Sequence, residues 1–351
     1  MNRLSFPPLL LCAVALLAAA VTAAGEGRVF VRSRYLMGTA VEIKARGADA
    51  AETQGAINAA FDEIARLEAL MTTWSADSDV SRVNAMAGRA PVRVAPEVIE
   101  VVEHALGVSR LTGGAFDITI EPLVQLWGID GDGKAKVPAK KEIDAALGRV
   151  GYRHVHVDRG EGTIFLDEAG VRIGLGGVAK GYAAERARGV LKARGVRSAI
   201  VNAGGDMAML GKDGDRPWRV DIRDPREPGG TMGWLQLENR TVHTSGDYER
   251  FRVIKGKRYH HILSPLTGYP ARRSQAVTIV SRDGALGDAL STGVLVLGPE
   301  EGIKLIESLD GVAVLVVDNG GKLHMSGAMR KRFHPAPLPE RRRESVAPSL
   351  S

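Results

Sequence analysis

The chain has 351 residues, 44% of them hydrophobic and 25% charged, which suits a globular protein with a sizeable core and excludes a low-complexity one. Its formal charge of +6 is local: residues 328–351 set Arg330, Lys331, Arg332, Arg341, Arg342 and Arg343 against Glu340 and Glu344, a net +4. Taking away that +4 and the charge of Arg3 leaves the body at +1, which gives no basic face for nucleic acid.

At the N-terminus, Met1-Asn2-Arg3, the apolar run Leu9–Ala20 and the small residues Val21–Gly25 read as a secretory signal peptide, residues 1–24, cut near Ala23 or Ala24. Left uncleaved, the same residues would make a short membrane anchor. The apolar run falls short of the roughly 20 residues a spanning helix needs, which favours cleavage. Cys12 is the only cysteine and follows Leu11, where a lipoprotein leader would have a small residue, so no lipid anchor is read. The mature chain forms no disulfide, and any metal site must use oxygen or nitrogen ligands. The expected location is the periplasm, with membrane contact only through an uncleaved leader or through the Pro- and Arg-rich tail 328–351, expected to be disordered.

Residues 29–35 and 39–45 predict two strands joined at Leu36-Met37-Gly38-Thr39, with Val41, Ile43 and Ala45 alternating against Glu42 and Lys44. Ala56, Ala60, Ile64 and Leu67 recur at helical spacing over 49–71, and residues 71–84, with Trp74, read as a loop. A second amphipathic helix over 96–112 ends at Gly113-Gly114, where a helix C-terminus is expected. After a short acidic turn and a helical stretch ending near Ala145, residues 155–158 and 163–166 predict a hairpin. Residues 198–201, 218–224, 233–237, 275–280 and 312–317 read as strands, the last of them buried, and 287–297 and 302–309 as helices. No linker divides residues 29–327, so the expected fold is one α+β domain around a mixed or antiparallel sheet with packed helices.

Arg172–Ala187 organises the rest. Gly174, Gly176, Gly177 and Lys180 stand where an apolar alternating stretch gives way to a helical pattern. Glycines there let the backbone approach a bound group, and a helix N-terminus adds N–H donors and partial positive charge. Alone, the stretch fits either a plain tight turn or a phosphate-binding turn; it is neither a Walker loop nor the dinucleotide fingerprint. Asp288 and Thr292 lie four apart on a predicted helix with Ser291 on nearly the same face. With a carbonyl from a glycine turn they would make hard oxygen ligands suited to Mg²⁺; alone they fit equally an N-capping aspartate and two helix hydroxyls.

The ordered set resembles a known family, the ApbE-type FAD:protein FMN transferases (flavin transferases). It comprises Met37-Gly38-Thr39, Trp74 with Ser81–Asn84, Gly113–Asp117 with Pro122-Leu123, and Gly176–Ala183. Asn202–Asp206, Ser245–Phe251, His261-Ile262 with Pro265 and Thr267-Gly268, and Asp288–Thr292 complete it. The resemblance implies a T-fold-like domain that binds FAD as substrate with Mg²⁺ and hands FMN to a threonine or serine hydroxyl of a target protein, releasing AMP. The implied acceptor is a domain of a membrane-associated redox protein. By the same resemblance, FAD would be contacted through Met37, Trp74, Ala115, Phe116, Asp117, Lys180 and Ile262. The metal would be held by the Gly177 carbonyl, Asp288 and Thr292, with Ser291 beside them, and His261 would take the proton of the acceptor hydroxyl. His260 reads as a strand neighbour pointing the other way. The chain departs from the family's usual residues at Gly174 (an FAD-contacting aspartate), Ser264 (aspartate) and Gly287 (alanine). Those departures keep two alternatives in view: a flavin-binding or flavin-chaperone protein without transfer, and a metal-dependent FAD pyrophosphatase.

Overall fold

The computed structural model describes residues 27–129 and 136–336; the expected leader and residues 337–351 of the expected tail lie outside them. Strands β1 (Arg28–Leu36) and β2 (Thr39–Gly47) form an antiparallel hairpin whose two loop residues, Met37 and Gly38, have φ of 53° and 71°. Two left-handed residues give the twist that a tight hairpin needs. A methionine there costs roughly 1–2 kcal/mol relative to glycine, so the turn holds this side chain against its own preference.

β2 continues into an eight-stranded antiparallel sheet. It pairs with β6 (Ser198–Ala203), followed by β7 (Asp206–Leu210), β10 (Thr241–Gly246), β13 (Ser274–Ser281), β14 (Ala313–Asp318) and β15 (Leu323–Met325). Alternation sorts the two faces. Val277 and Ile279 of β13, with Val314 and Val316 of β14, face a layer of helices. Ala276, Val280, Ala313, Leu315 and Val317 face a small sheet of β8 (Trp218–Arg223), β9 (Thr231–Leu237) and β16 (Phe333–Pro335). All eight residues of β13 are buried because both faces of the central strand are covered.

The helix layer contains α1 (Ala50–Met71), α3 (Pro96–Leu111), α6 (Ala179–Ala193) and α7 (Gly284–Leu297). Asp49 caps α1 by accepting the Glu52 amide at 2.8 Å. Ala56, Ile57, Ala60, Phe61, Ile64 and Leu67 bury one stripe of α1 against the sheet. Residues 113 and 114, at φ of 59° and 84°, end α3 as the glycine pair predicts.

Four expectations change. The stretch 71–84 holds a short helix, α2 (Asp79–Ala85), because Ser78 accepts the Ser81 amide and starts it. Residues 171–173 precede the glycine turn but join no strand. The helix near Ala145 is α5 (Lys140–Leu147), preceded by α4 (Glu121–Trp127); of the stretch read as polar, residues 134–135 lie outside the described residues. The ordered domain runs past residue 327: β14 is followed by β15, α9 (Gly327–Arg330) and β16. Met329 is fully buried, and residues 333–335 pair with β9, so apolar burial overrides the basic composition there.

Candidate active site

The glycine turn leads directly into α6, as the sequence predicts. Gly174 donates its amide to the Ile118 carbonyl (2.8 Å), and the Leu175 carbonyl accepts the Ala179 amide (2.9 Å), starting the helix. α7 crosses α6 with almost no separation: a Cβ on Gly284 would collide with the Gly181 carbonyl. This crossing brings together residues more than a hundred apart in sequence. Asp288, 3% exposed, accepts the Gly181 amide on Oδ2 (2.9 Å), and the Lys180 ammonium stands 3.8 Å from the same oxygen.

Lys180 also pairs with Asp206, at the start of β7, and His243 of β10 meets the other Asp206 oxygen at 3.0 Å. Burial works against the lysine charge, but the Asp206 and Asp288 carboxylates outweigh it, so Lys180 stays protonated above its ordinary range. Burial raises Asp206, yet Lys180 and His243 hold it below the usual carboxylate range. Asp288 is pushed the other way, by burial first and then by the Asp206 charge. A cation beside Asp288 would relieve that.

Three of the proposed metal ligands share one helix face. The Ser245 hydroxyl, at the end of β10, lies 2.7 Å from Ser291 Oγ and 3.1 Å from Thr292 Oγ1. A Cβ on Gly177 would lie 3.5 Å from Thr292 Oγ1, so the glycine turn faces the same hydroxyl. The Asp288 carboxylate, the Thr292 hydroxyl and a glycine-turn carbonyl are hard oxygen donors of the kind Mg²⁺ takes, while Ser291 Oγ donates to the Asp288 carbonyl at 2.8 Å. Asp206, His243 and Asp288 also offer ligand atoms within 4.8 Å of one another, but the Lys180 ammonium already lies between the two carboxylates.

The remaining expected positions divide. Trp74 is 89% exposed and lines a cleft with Tyr35, Gly38, Ile129, Arg250 and Phe251, so an aromatic surface is open to a ring ligand. Met37 sits half-buried beside Gly38 at that rim. Ala115, Phe116 and Asp117 are buried under the glycine turn. The Phe116 ring packs against Gly177, and Asp117 accepts Thr119 N (2.8 Å) and Tyr152 N (2.7 Å). Ile262 is buried and its carbonyl accepts the Ala271 amide.

His261 presents a half-buried ring whose Nδ1 donates to the Arg250 carbonyl (3.1 Å), which leaves Nε2 as the acceptor. Burial, then the Arg250 charge and more weakly that of Lys180, push this imidazole down to about 3. His260 points inward and bonds the Ala271 carbonyl at 2.6 Å, as its reading as a strand neighbour requires. Gly174 has a positional reason: Glu121 Oε2 lies 2.6 Å from where its Cβ would be, so a carboxylate from α4 occupies that place.

Residues 37–316 match the family model described as the ApbE family. The chain belongs to the ApbE family. Among relatives, the FAD:protein FMN transferase of Klebsiella pneumoniae (strain 342) is 33% identical over 312 residues, spanning 88% of this chain and 96% of that protein. The FAD:protein FMN transferase of Treponema pallidum (strain Nichols) is 34% identical, over 84% of this chain and 86% of its own. Among solved structures, the ApbE protein of Thermotoga maritima superposes with a TM-score of 0.81 at 33% identity, covering 88% of this chain and all of that one. The flavin transferase ApbE of Vibrio cholerae gives 0.77 at 28% identity, over 87% of this chain and 99% of its own. The chain is thus an enzyme of a transferase family, and the α+β architecture of packed helices on antiparallel sheets is the family's. The sequence alone assigns no role to Asp206, His243, Ser245 or Glu121. Asp206 stands in the glycine motif Asn202–Asp206, but nothing local reveals that its partner is Lys180.

Proposed function

We propose that this chain transfers FMN from FAD to a threonine or serine hydroxyl of an exported redox-protein domain, with Mg²⁺, releasing AMP. The observation that carries the reading is the convergence of Lys180, Asp288, Ser291, Thr292 and the glycine turn on one wall, beside an open aromatic cleft. Asp288, Thr292, Ser291 and the Gly177 carbonyl would hold Mg²⁺, which would neutralise phosphate charge. The acceptor oxygen forms a bond to the FMN phosphorus as the bridging P–O bond breaks, and AMP takes the electron pair. Such transfers depend mainly on positioning and charge neutralisation, which Lys180 and the amides at the start of α6 supply. His261 Nε2 receives the hydroxyl proton; an anionic substrate in the cleft raises the basicity of a ring that is neutral in the free enzyme. Trp74 and Met37 offer an apolar, polarisable face for the flavin or adenine ring. The leader-like residues 1–24 support action in the periplasm.

The test is incubation of the mature protein with FAD, Mg²⁺ and acceptor domains carrying a Ser/Thr-Gly-Ala-Thr-like segment. The expected result is an acceptor band with in-gel flavin fluorescence and an added FMN mass. Intact FAD binding with no labelling of any acceptor would leave a flavin-binding role, and AMP with free FMN in the absence of acceptor would mean hydrolysis.

A further inference from the structure

His243 is fully buried in the crossing of α6 and α7, and the room for its ring is made by missing side chains. A Cβ on Gly181 would stand 2.8 Å from its Cε1, and one on Gly287 would collide with its Cδ2. An alanine at 287 is therefore incompatible with this ring. Three positions on three elements fit one another.

The ring is a costly filler. Its Nδ1 bonds Asp206, but its Nε2 is buried without a hydrogen-bond partner among the described residues. An unpaired buried polar atom is destabilising, a cost that an apolar side chain of similar shape would avoid. What the imidazole provides is a rigid donor. A carboxylate oxygen only accepts, so Nδ1 carries the hydrogen in this contact. It fixes one Asp206 oxygen and turns the other to Lys180, whose ammonium faces Asp288.

We propose that His243 is a positioning residue: it locks Asp206 so that Lys180 is held against Asp288 on the phosphate-facing wall. This rests on the flavin-transfer reading only for the use made of Lys180. The arrangement itself needs no substrate.

The test compares His243→Asn with His243→Ala. Asparagine carries an amide nitrogen about where Nδ1 stands, so it keeps the donor and loses the ring; alanine loses both. We expect His243→Asn to turn over within about threefold of wild type and His243→Ala to fall by roughly 10–100-fold, the range for residues that orient the groups touching a ligand. Their melting temperatures should be similar, since both lack the ring. Adding Gly287→Ala to His243→Ala puts a methyl into the vacated space, where it also meets Ser281 Oγ at 2.7 Å, and should not restore turnover. Equal turnover of the Asn and Ala variants, or recovery of turnover in the double variant, would reduce His243 to packing.

A substrate-free readout separates this from the transfer reading. In ¹⁵N-lysine protein a protected Lys180 ammonium signal should survive in His243→Asn and vanish in His243→Ala. Its persistence in His243→Ala overturns the proposal even if no acceptor is ever labelled.

Discussion

The two sides of the site are built on opposite principles. The wall formed by α6 and α7 is dense and charged: Asp206 and Asp288 are 3% exposed and Lys180 is mostly covered, all held by a glycine-on-glycine helix crossing. The cleft rim is open, with Trp74 at 89% and Tyr35 at 78% exposure. A developing phosphate charge is best met by groups already desolvated and fixed, because reorganising them during reaction raises the barrier. A flat ring needs only an apolar face, so ordering there can wait for the ligand. The wall should therefore govern turnover, and the rim affinity.

Four variants break or sharpen that contrast. Asp288→Ala should abolish metal-dependent turnover, followed as acceptor fluorescence over a Mg²⁺ titration; turnover at the wild-type rate would place the metal elsewhere. His261→Ala should slow transfer by about 10²–10⁴-fold, the range for a positioned general base. With the His261 ring held down to about 3, below the ordinary value near 6.5, it stays neutral across neutral and mildly acid pH. The kcat/KM of wild type, which reports groups of the free enzyme, should thus show no His261 inflection near pH 6.5. The same shift takes stability away as pH falls below 6.5, because the unfolded chain then binds the proton more readily.

Trp74→Ala should weaken FAD binding by about 1–3 kcal/mol, the range for base–aromatic stacking, with kcat nearly unchanged. Isothermal titration beside saturating-substrate kinetics checks this; a fall confined to kcat would place Trp74 on the wall side instead. The smallest effect is structural. Gly174→Asp sets a second carboxylate against the flexible end of Glu121 and should cost about 0.5–1 kcal/mol, relieved when Glu121→Gly is added. Additive melting shifts in the double variant would mean that the two positions do not share that space.

Local chemistry made much of this protein legible. Alternation along residues 39–45 and helical spacing along 49–71 report directly which side faces the core, and β2 and α1 lie where they predict. Asp288, Ser291 and Thr292 on one helix face follow from helical geometry alone, and the glycine turn ahead of α6 from backbone freedom. The departures arise where burial overrides composition. The basic segment 328–336 is ordered because Met329 and Phe333 find an apolar face supplied by β9 and its neighbours. The opening stretch 172–187 gains its meaning in the same way. Lys180 reads in sequence as a positive charge at a phosphate-binding turn, and the fold adds two carboxylates beside it from β7 and α7. Gly174, Gly181 and Gly287 stand where the space a side chain would need is taken by Glu121, by Gly284 with the Asp288 side chain, and by His243 with Ser281. Sequence sets what each residue can do within a few bonds of its own backbone. Which carboxylate meets which ammonium is set by how helices and strands distant in sequence pack, and only the tertiary structure decided that.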